Sequence, residues 1–161
     1  MVNKKNKYSI LGLLLFIMVI EAIGGLSGLF AGDIKGIYNG LSLPPLAPPD
    51  YLFGIVWPLL YALIAIAGYL IYKNFAKNNV GLLAGSFYSA QIILNFVWSI
   101  IFFRGYYWTG LVVILILDVL VITCINYAAK LNKVAGLLLM PYLVWLIFAT
   151  YLTVAVAILN Q

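Results

Sequence analysis

Five runs of twenty or more mostly apolar residues, at about 8–31, 51–72, 80–103, 106–129 and 134–159, set the limits on what this chain can fold into. A helix crossing a bilayer needs roughly 20 apolar residues, and in lipid only helices and closed barrels satisfy their own backbone. The composition agrees: 66% of the 161 residues are hydrophobic and 8% charged, with a mean hydropathy of +1.13. A soluble domain is roughly 45–50% apolar and about 25% charged. The connections at 73–79, 104–106 and 130–133 are short, so the helices they join must run antiparallel. Only 32–50 is long. The expected fold is an all-α membrane protein, a single bundle of five transmembrane helices forming one domain over 1–161. The first run follows a basic start, as in a signal peptide. It extends past a signal core of about 7–15 residues and shows no small-residue cleavage site, so it is expected to remain as helix one.

Charge then gives an orientation. Lys4, Lys5, Lys7, Lys73, Lys77, Lys130 and Lys133 fall on one side of a five-span protein, and only Lys35 and Arg104 on the other. Cytoplasmic loops carry the Lys/Arg excess. The N-terminus is therefore expected in the cytoplasm, with the 32–50 loop and the C-terminus on the opposite face. The net charge of +5 follows this pattern and does not suggest nucleic acid.

The chain has no histidine, and Cys124 is its one cysteine. An intrachain disulfide and a Cys/His metal site are excluded, as are triads built on histidine. No Gly-rich phosphate loop precedes a helix. No cofactor or metal is expected, and nothing points to a conventional enzyme.

The stretch LSLPPLAPPDYLFGIVWPLLY, residues 41–61, concentrates the remaining information. Pro44, Pro45, Pro48 and Pro49 exclude regular helix and predict a stiff, largely extended strap. Phe53, Trp57 and Tyr61 follow four apart, on one helix face. Two readings fit. One is a lidded pocket for a flat, greasy ligand. The other is a tight turn before a membrane helix with an interfacial aromatic belt.

In the third run Gln91, Asn95, Trp98 and Phe102 share one face, expected to point into the bundle. The fifth carries Pro141, then Trp145 and Ala149 four apart. Trp57, Asn95 and Trp145 are candidates to converge on one cavity, where indoles stack a ring and an amide orients it. Glu21 and Asp118 lie near mid-membrane, where a charge costs roughly 3 kcal/mol or more. With no Lys or Arg at that depth, they serve either as interhelical hydrogen-bond donors or as coupling acids in transport. Gly24, Gly28 and Gly32, and Gly81, Gly85 and Ser89, repeat small residues at spacing four. Such stripes suit helix packing within the chain or in a homodimer.

These residues resemble the translocator protein family, also called tryptophan-rich sensory proteins or peripheral-type benzodiazepine receptors. One block is Tyr38, Leu41, Pro44, Pro48 and Pro49, continuing through Phe53, Gly54, Val56, Trp57, Leu60 and Tyr61. A second is Gln91, Asn95, Trp98, Ser99, Phe102 and Phe103, and a third Pro141, Tyr142, Trp145 and Ala149. An acid like Asp118 is usual in the family's fourth helix. The resemblance covers most of the chain. It implies a five-helix receptor, often a homodimer, that binds tetrapyrroles such as protoporphyrin IX, benzodiazepine-receptor ligands and in some members cholesterol. In some bacterial members it implies light-dependent porphyrin breakdown at paired tryptophans, here Trp57 and Trp145. The implied ligand residues are Tyr38, Trp57, Asn95, Trp145 and Ala149. Pro48, Phe53, Trp98 and Asp118 complete the candidate set.

The chain departs from the pattern in places. Ile37 and Leu46 stand where the family has loop tryptophans, making the lid less aromatic, and Leu152-Thr153 stands for a frequent Leu-Asn. Nothing basic follows Tyr151, so cholesterol is not expected. The expectation is a receptor or carrier for planar hydrophobic ligands in a bacterial cell membrane. The alternative is a proton-coupled exporter of small hydrophobic cations that uses Glu21.

Overall fold

The five apolar runs are five long helices in the computed structural model, which describes residues 9–75 and 78–161. Numbered in chain order, they are α1 (Ile10–Ala31), α3 (Tyr51–Tyr72), α4 (Asn79–Phe103), α5 (Tyr107–Leu131) and α6 (Lys133–Leu159). The chain is an all-α membrane protein, with no strand among the described residues. Polar side chains start the helices. Ser9 caps α1, Asn78 caps α4 and Asn132 caps α6, each accepting from a first-turn backbone N–H at 2.9–3.3 Å.

Helix α5 packs against α4 and α6, α6 against α3, α3 against α1, and α1 against α4. The apolar outer faces stay uncovered, among them Leu11, Leu14, Leu15 and Met18 of α1. In water such a surface would aggregate, whereas in a bilayer it faces lipid. Inside, glycines set the spacing. A methyl on Gly24 of α1 would collide with the Tyr61 ring of α3, and one on Gly68 would collide with Tyr88 of α4. Of the small-residue stripes, Gly24, Gly81 and Gly85 pack within the chain, while Ser89 is exposed. Gly81 lies against the Asn74 and Phe75 carbonyls, and Gly85 against the Phe75 ring. Gly32 is not part of the α1 stripe. It ends the helix at φ 94°, a backbone that a residue without Cβ adopts freely.

The 32–50 connection departs from the expected loop. It opens with a short helix, α2 (Ile34–Asn39), capped by the Asp33 carboxylate on the Gly36 N–H at 3.0 Å. Nor is the strap extended throughout. The Ala47 N–H donates to the Pro44 carbonyl at 3.2 Å, with Leu46 at φ 67°. That is the geometry of a type II turn with Pro45 at its second position and a left-handed residue at its third. Four prolines rule out regular helix, but they do not forbid a turn, which here uses the proline's fixed φ. The third position of such a turn favours glycine. Leu46 is 85% exposed, so its side chain gains little from packing. Replacing it with glycine is expected to relieve about 1 kcal/mol or less, after the added freedom of the unfolded chain is subtracted. Thermal unfolding of Leu46→Gly in detergent should show a melting temperature up by a few degrees.

Lid and C-terminus meet at one end. Asn160 accepts from the Ser42 N–H at 2.8 Å and donates to the Ser42 carbonyl at 3.0 Å, and the Tyr151 hydroxyl donates to the Pro45 carbonyl at 2.7 Å. Lys73, Lys130 and Lys133 fall at the opposite end, while Lys4, Lys5, Lys7 and Lys77 lie outside the described residues. In Asn160→Ala the two bonds to Ser42 are lost, leaving the Tyr151 bond to Pro45 and the Tyr38 bond to Pro48. Hydrogen exchange at 42–47 is expected to rise several-fold, with no change in α4 or α5.

Candidate functional site: an aromatic cavity beneath the lid

A cavity of about 460 Å³ opens between α1, α3, α4 and α6, with α2 at its mouth. Ligand pockets commonly measure about 300–1,000 Å³. Its two long sides differ in kind. The α1 side presents Gly24, Gly25, Ser27 and Gly28, which project almost nothing into the space. The facing side is aromatic, with Phe53, Trp57 and Tyr61 from α3 and Trp145 and Phe148 from α6. The result is a slot with small residues and Glu21 on α1 and rings from α3, α4 and α6 around the rest.

The rings form a chain of contacts. Tyr38 meets Phe53 at 4.8 Å between centroids, Phe53 meets Trp145 at 6.2 Å, Trp145 meets Trp57 at 6.5 Å, and Trp57 stacks on Tyr61 at 5.4 Å. The spacing of Phe53, Trp57 and Tyr61 puts them on one face of α3, and α6 brings Trp145 across to it. The two indole planes stand at 87°. A planar ligand can therefore lie flat against one indole only, and it meets the other edge-on. The Trp145 and Trp98 indole N–H groups are both buried without a hydrogen-bond partner among the described residues.

The mouth is polar and latched. The Tyr38 hydroxyl donates to the Pro48 carbonyl at 2.8 Å, tying α2 to the strap. Burial holds that hydroxyl's pKa above its ordinary range, and the nearby Asp50 charge adds to the effect. Asp50 accepts from the Asn39 amide at 3.0 Å and pairs with Lys35 at 3.6 Å. Those contacts, the Asn39 bond first, hold its carboxyl below the usual range. Lys35 meets Asp50 while its own side chain stays 77% exposed at the entrance.

Six of the nine candidate binding residues line this cavity: Tyr38, Phe53, Trp57, Trp98, Trp145 and Ala149. Three do not. Pro48 contributes its carbonyl to the Tyr38 latch. Asn95 is 3% exposed and spent on two neighbours: the Tyr61 hydroxyl donates to its Oδ1 at 3.1 Å, and its amide donates to the Tyr142 hydroxyl at 2.9 Å. It braces α3, α4 and α6 from behind the cavity wall. Asp118 is on α5, which contributes nothing to the cavity, and its Oδ2 accepts from the Thr150 hydroxyl of α6 at 2.8 Å. The bond is interhelical, but Asp118 accepts in it, whereas the expectation was a donor. The face of Gln91, Asn95, Trp98 and Phe102 is buried along its length, as the spacing predicts.

Other lining residues carried weaker sequence signals. Glu21 was notable for its depth, but nothing in the sequence connects it to Trp57, and both line the same cavity. Gly54 and Pro58 also line it. Gly54 can do so only with backbone, and its carbonyl lacks a helical donor because residue 58 is proline. The pairing of a proline with a glycine four residues earlier was legible, but its direction was not.

Comparison with known proteins gives the family. The model of the TspO/MBR family matches residues 16–159. The chain is 41% identical to the tryptophan-rich protein TspO of Archaeoglobus fulgidus, over 94% of this chain and 99% of the relative. It is 31% identical to the translocator protein of Homo sapiens, over 74% of this chain and 72% of the relative. It is 30% identical to the protein CrtK of Rhodobacter capsulatus, over 76% and 78%. With five membrane-length helices and a match over nearly its whole length, the chain is an integral multi-pass membrane protein that belongs to the TspO/MBR family.

Proposed function

We propose that this protein is a membrane receptor or carrier for tetrapyrroles, protoporphyrin IX or haem-like, and for other planar hydrophobic ligands of the benzodiazepine-receptor type. The observation that carries the reading is the slot between the glycine side of α1 and the rings of Trp57 and Trp145. Its volume is that of a ligand pocket, and the rings offer a flat macrocycle apolar and quadrupolar contact. In this reading the ligand enters under the lid or from lipid, lies flat on one indole and meets the edge of the other. Tyr38, Phe53, Trp98 and Ala149 complete the contact surface. Asn95 acts indirectly, by fixing Tyr61.

The reading extends to the assembly. The five long helices form a single bundle in the membrane of a bacterial cell, the N-terminus is cytoplasmic, and two copies pair as a homodimer. Bound porphyrin can absorb light and pass energy to oxygen, and Trp57 and Trp145 are the residues placed to be oxidised or to help degrade it. A second reading, export of hydrophobic cations, draws on Glu21 lining the same cavity. Proton-driven uptake of a lipophilic cation into inverted vesicles, with loss in Glu21→Gln, would support it.

The test of the first reading is a titration of the detergent-purified protein with protoporphyrin IX, followed by quenching of tryptophan fluorescence. Saturable quenching that a benzodiazepine-receptor ligand reverses is expected. Quenching that grows linearly without saturation, or resists competition, overturns it.

A further inference from the structure

The seam between α1 and α3 is closed toward one end and open toward the other. Away from the lid the two helices interlock. The Tyr69 hydroxyl of α3 bonds to the Ser9 backbone before α1, the Tyr69 ring meets Phe16 at 5.7 Å, and Gly24 packs on the Tyr61 ring. Gly54, Pro58, Tyr61 and Ala65 stand at i, i+4, i+7 and i+11, on the α3 flank that meets α1. Along that flank Ala65 is 0% and Tyr61 8% exposed, whereas Pro58 and Gly54 are uncovered. The α1 side opens at the same level. A methyl added to Gly25 or to Gly54 would meet no atom across the seam within 4 Å, and one on Gly28 would touch only the Ile34 tip of α2. Glycine weakens a helix interior relative to alanine. Packing against α3 requires Gly24, but it does not require Gly25, Gly28 or Gly54.

The opening is a window into the cavity, because Gly25, Gly28, Gly54 and Pro58 all line it. The Gly24–Tyr61 contact forms its lower edge, and the Lys35–Asp50 pair at 3.6 Å its upper edge. Gly25 is six residues from the end of α1 at Ala31, and Pro58 is seven residues from the start of α3 at Tyr51. At 1.5 Å per residue both lie about 10 Å inside their helices, within a hydrocarbon core of about 30 Å. Leu26 and Leu29 of α1 and Ile55 and Leu59 of α3 are left exposed beside it, so the window faces lipid. The lid, by contrast, is tied down. Asn160 holds Ser42 by two hydrogen bonds, Tyr151 holds Pro45, and Tyr38 joins Pro48 while packing on Phe53. A ligand passing under the lid has to break such contacts, and one passing between the glycines breaks none of them.

We propose that the cavity loads sideways from the bilayer, through the window between Gly25 and Gly28 of α1 and Gly54 and Pro58 of α3, while the lid stays shut. The inference rests on the cavity being a binding site for planar ligands. It adds their route and hence their class: compounds that dissolve in lipid before they bind. Transfer of an apolar molecule from water into the bilayer is favourable and concentrates it at the level of the window. Glycine presents no side chain that has to swing aside, so a flat ring can slide in edge-on.

The test separates the two routes by their kinetics. Full-length protein in lipid nanodiscs is mixed with protoporphyrin IX, and association and dissociation are followed by stopped-flow fluorescence. Gly25→Leu and Gly54→Leu place bulk where an added Cβ meets nothing. Each is expected to slow association and dissociation together, by about tenfold, with a smaller change in affinity. A disulfide across the lid, formed by oxidising Ser42→Cys with Asn160→Cys, is expected to leave both rates as they are. Cys124 is buried and takes no part in it. Association slowed by that disulfide overturns the proposal. So does an affinity loss in the leucine variants that appears in dissociation alone, which would mark the glycines as contact positions and not a passage. If wild type binds saturably and the leucine variants keep its rates, only the route fails. If wild type shows no saturable binding, the receptor reading fails and takes this one with it.

Discussion

Trp145→Phe is expected to bind protoporphyrin IX about two- to tenfold more weakly than the wild type while melting at the same temperature or slightly above it. Both halves follow from the same side chain. The indole touches Phe53, Trp57 and Phe148, so shrinking it to a phenyl ring opens the aromatic side of the slot. Losing one well-placed aromatic contact is worth about 0.5–1.5 kcal/mol, up to tenfold in affinity. Yet the indole N–H is buried without a partner among the described residues. Removing a buried, unpartnered donor takes away a desolvation penalty and offsets the lost packing. Trp57→Phe should lower affinity by a similar factor. It also loses the stack on Tyr61, so a modest drop in melting temperature is expected there. The two rings are in contact, so the double variant should fall short of the product of the single losses. The measurement is a Soret-band titration beside a thermal melt, because the remaining tryptophans complicate quenching. Both variants binding as tightly as wild type would remove the indoles from the site.

Asn95→Leu is expected to give the opposite split, with a marked loss of stability and a smaller loss of affinity than Trp145→Phe. The Asn95 amide is the shared partner of the Tyr61 and Tyr142 hydroxyls, and Tyr142 is fully buried. Leucine keeps the volume but leaves both hydroxyls without their partner. Each buried group left unpaired costs about 1–3 kcal/mol in water-soluble proteins, whereas interhelical bonds in membranes average about 0.6 kcal/mol. For two bonds the expected destabilisation is about 1–3 kcal/mol. Tyr142→Phe in the Asn95→Leu background should cost far less than in wild type, since the bond it removes is already gone. That cycle reports the network directly. A large affinity loss in Asn95→Leu without any loss of stability would return Asn95 to the ligand's side of the wall.

The two variants mark where the sequence stops informing. The helical spacing in the third run put Asn95 and Trp98 on one interior face, and both are buried there. Spacing fixes which face a residue takes, but not which neighbour fills the space opposite it. Asn95 has α3 and α6 hydroxyls opposite it, and Trp98 has the cavity. A resemblance transfers residue types, and it suggested a ligand contact for Asn95, while Trp98 entered the candidate set by its place on the same face. The same limit applies to Asp118, whose partner Thr150 is on another helix. The lid shows a different limit. Its prolines exclude a helix across 44–49, but the turn at Leu46 and the short α2 come from capping and contacts that proline content does not encode.

By itself the sequence determined the five long helices and their antiparallel order. In lipid each apolar run must pair its own backbone groups, so helix formation is local and is set by length and composition. It also determined the aromatic face of α3 and, through the absence of histidine, excluded histidine triads and Cys/His metal sites. Only the tertiary structure decided that α6 carries Trp145 to Trp57 at right angles, that Asn95 is a brace, and that Glu21 enters the same cavity. Those outcomes depend on how close two helices approach and how each is rotated about its axis. Contacts from several elements at once set both, including the glycines that let α1 come up against the Tyr61 ring.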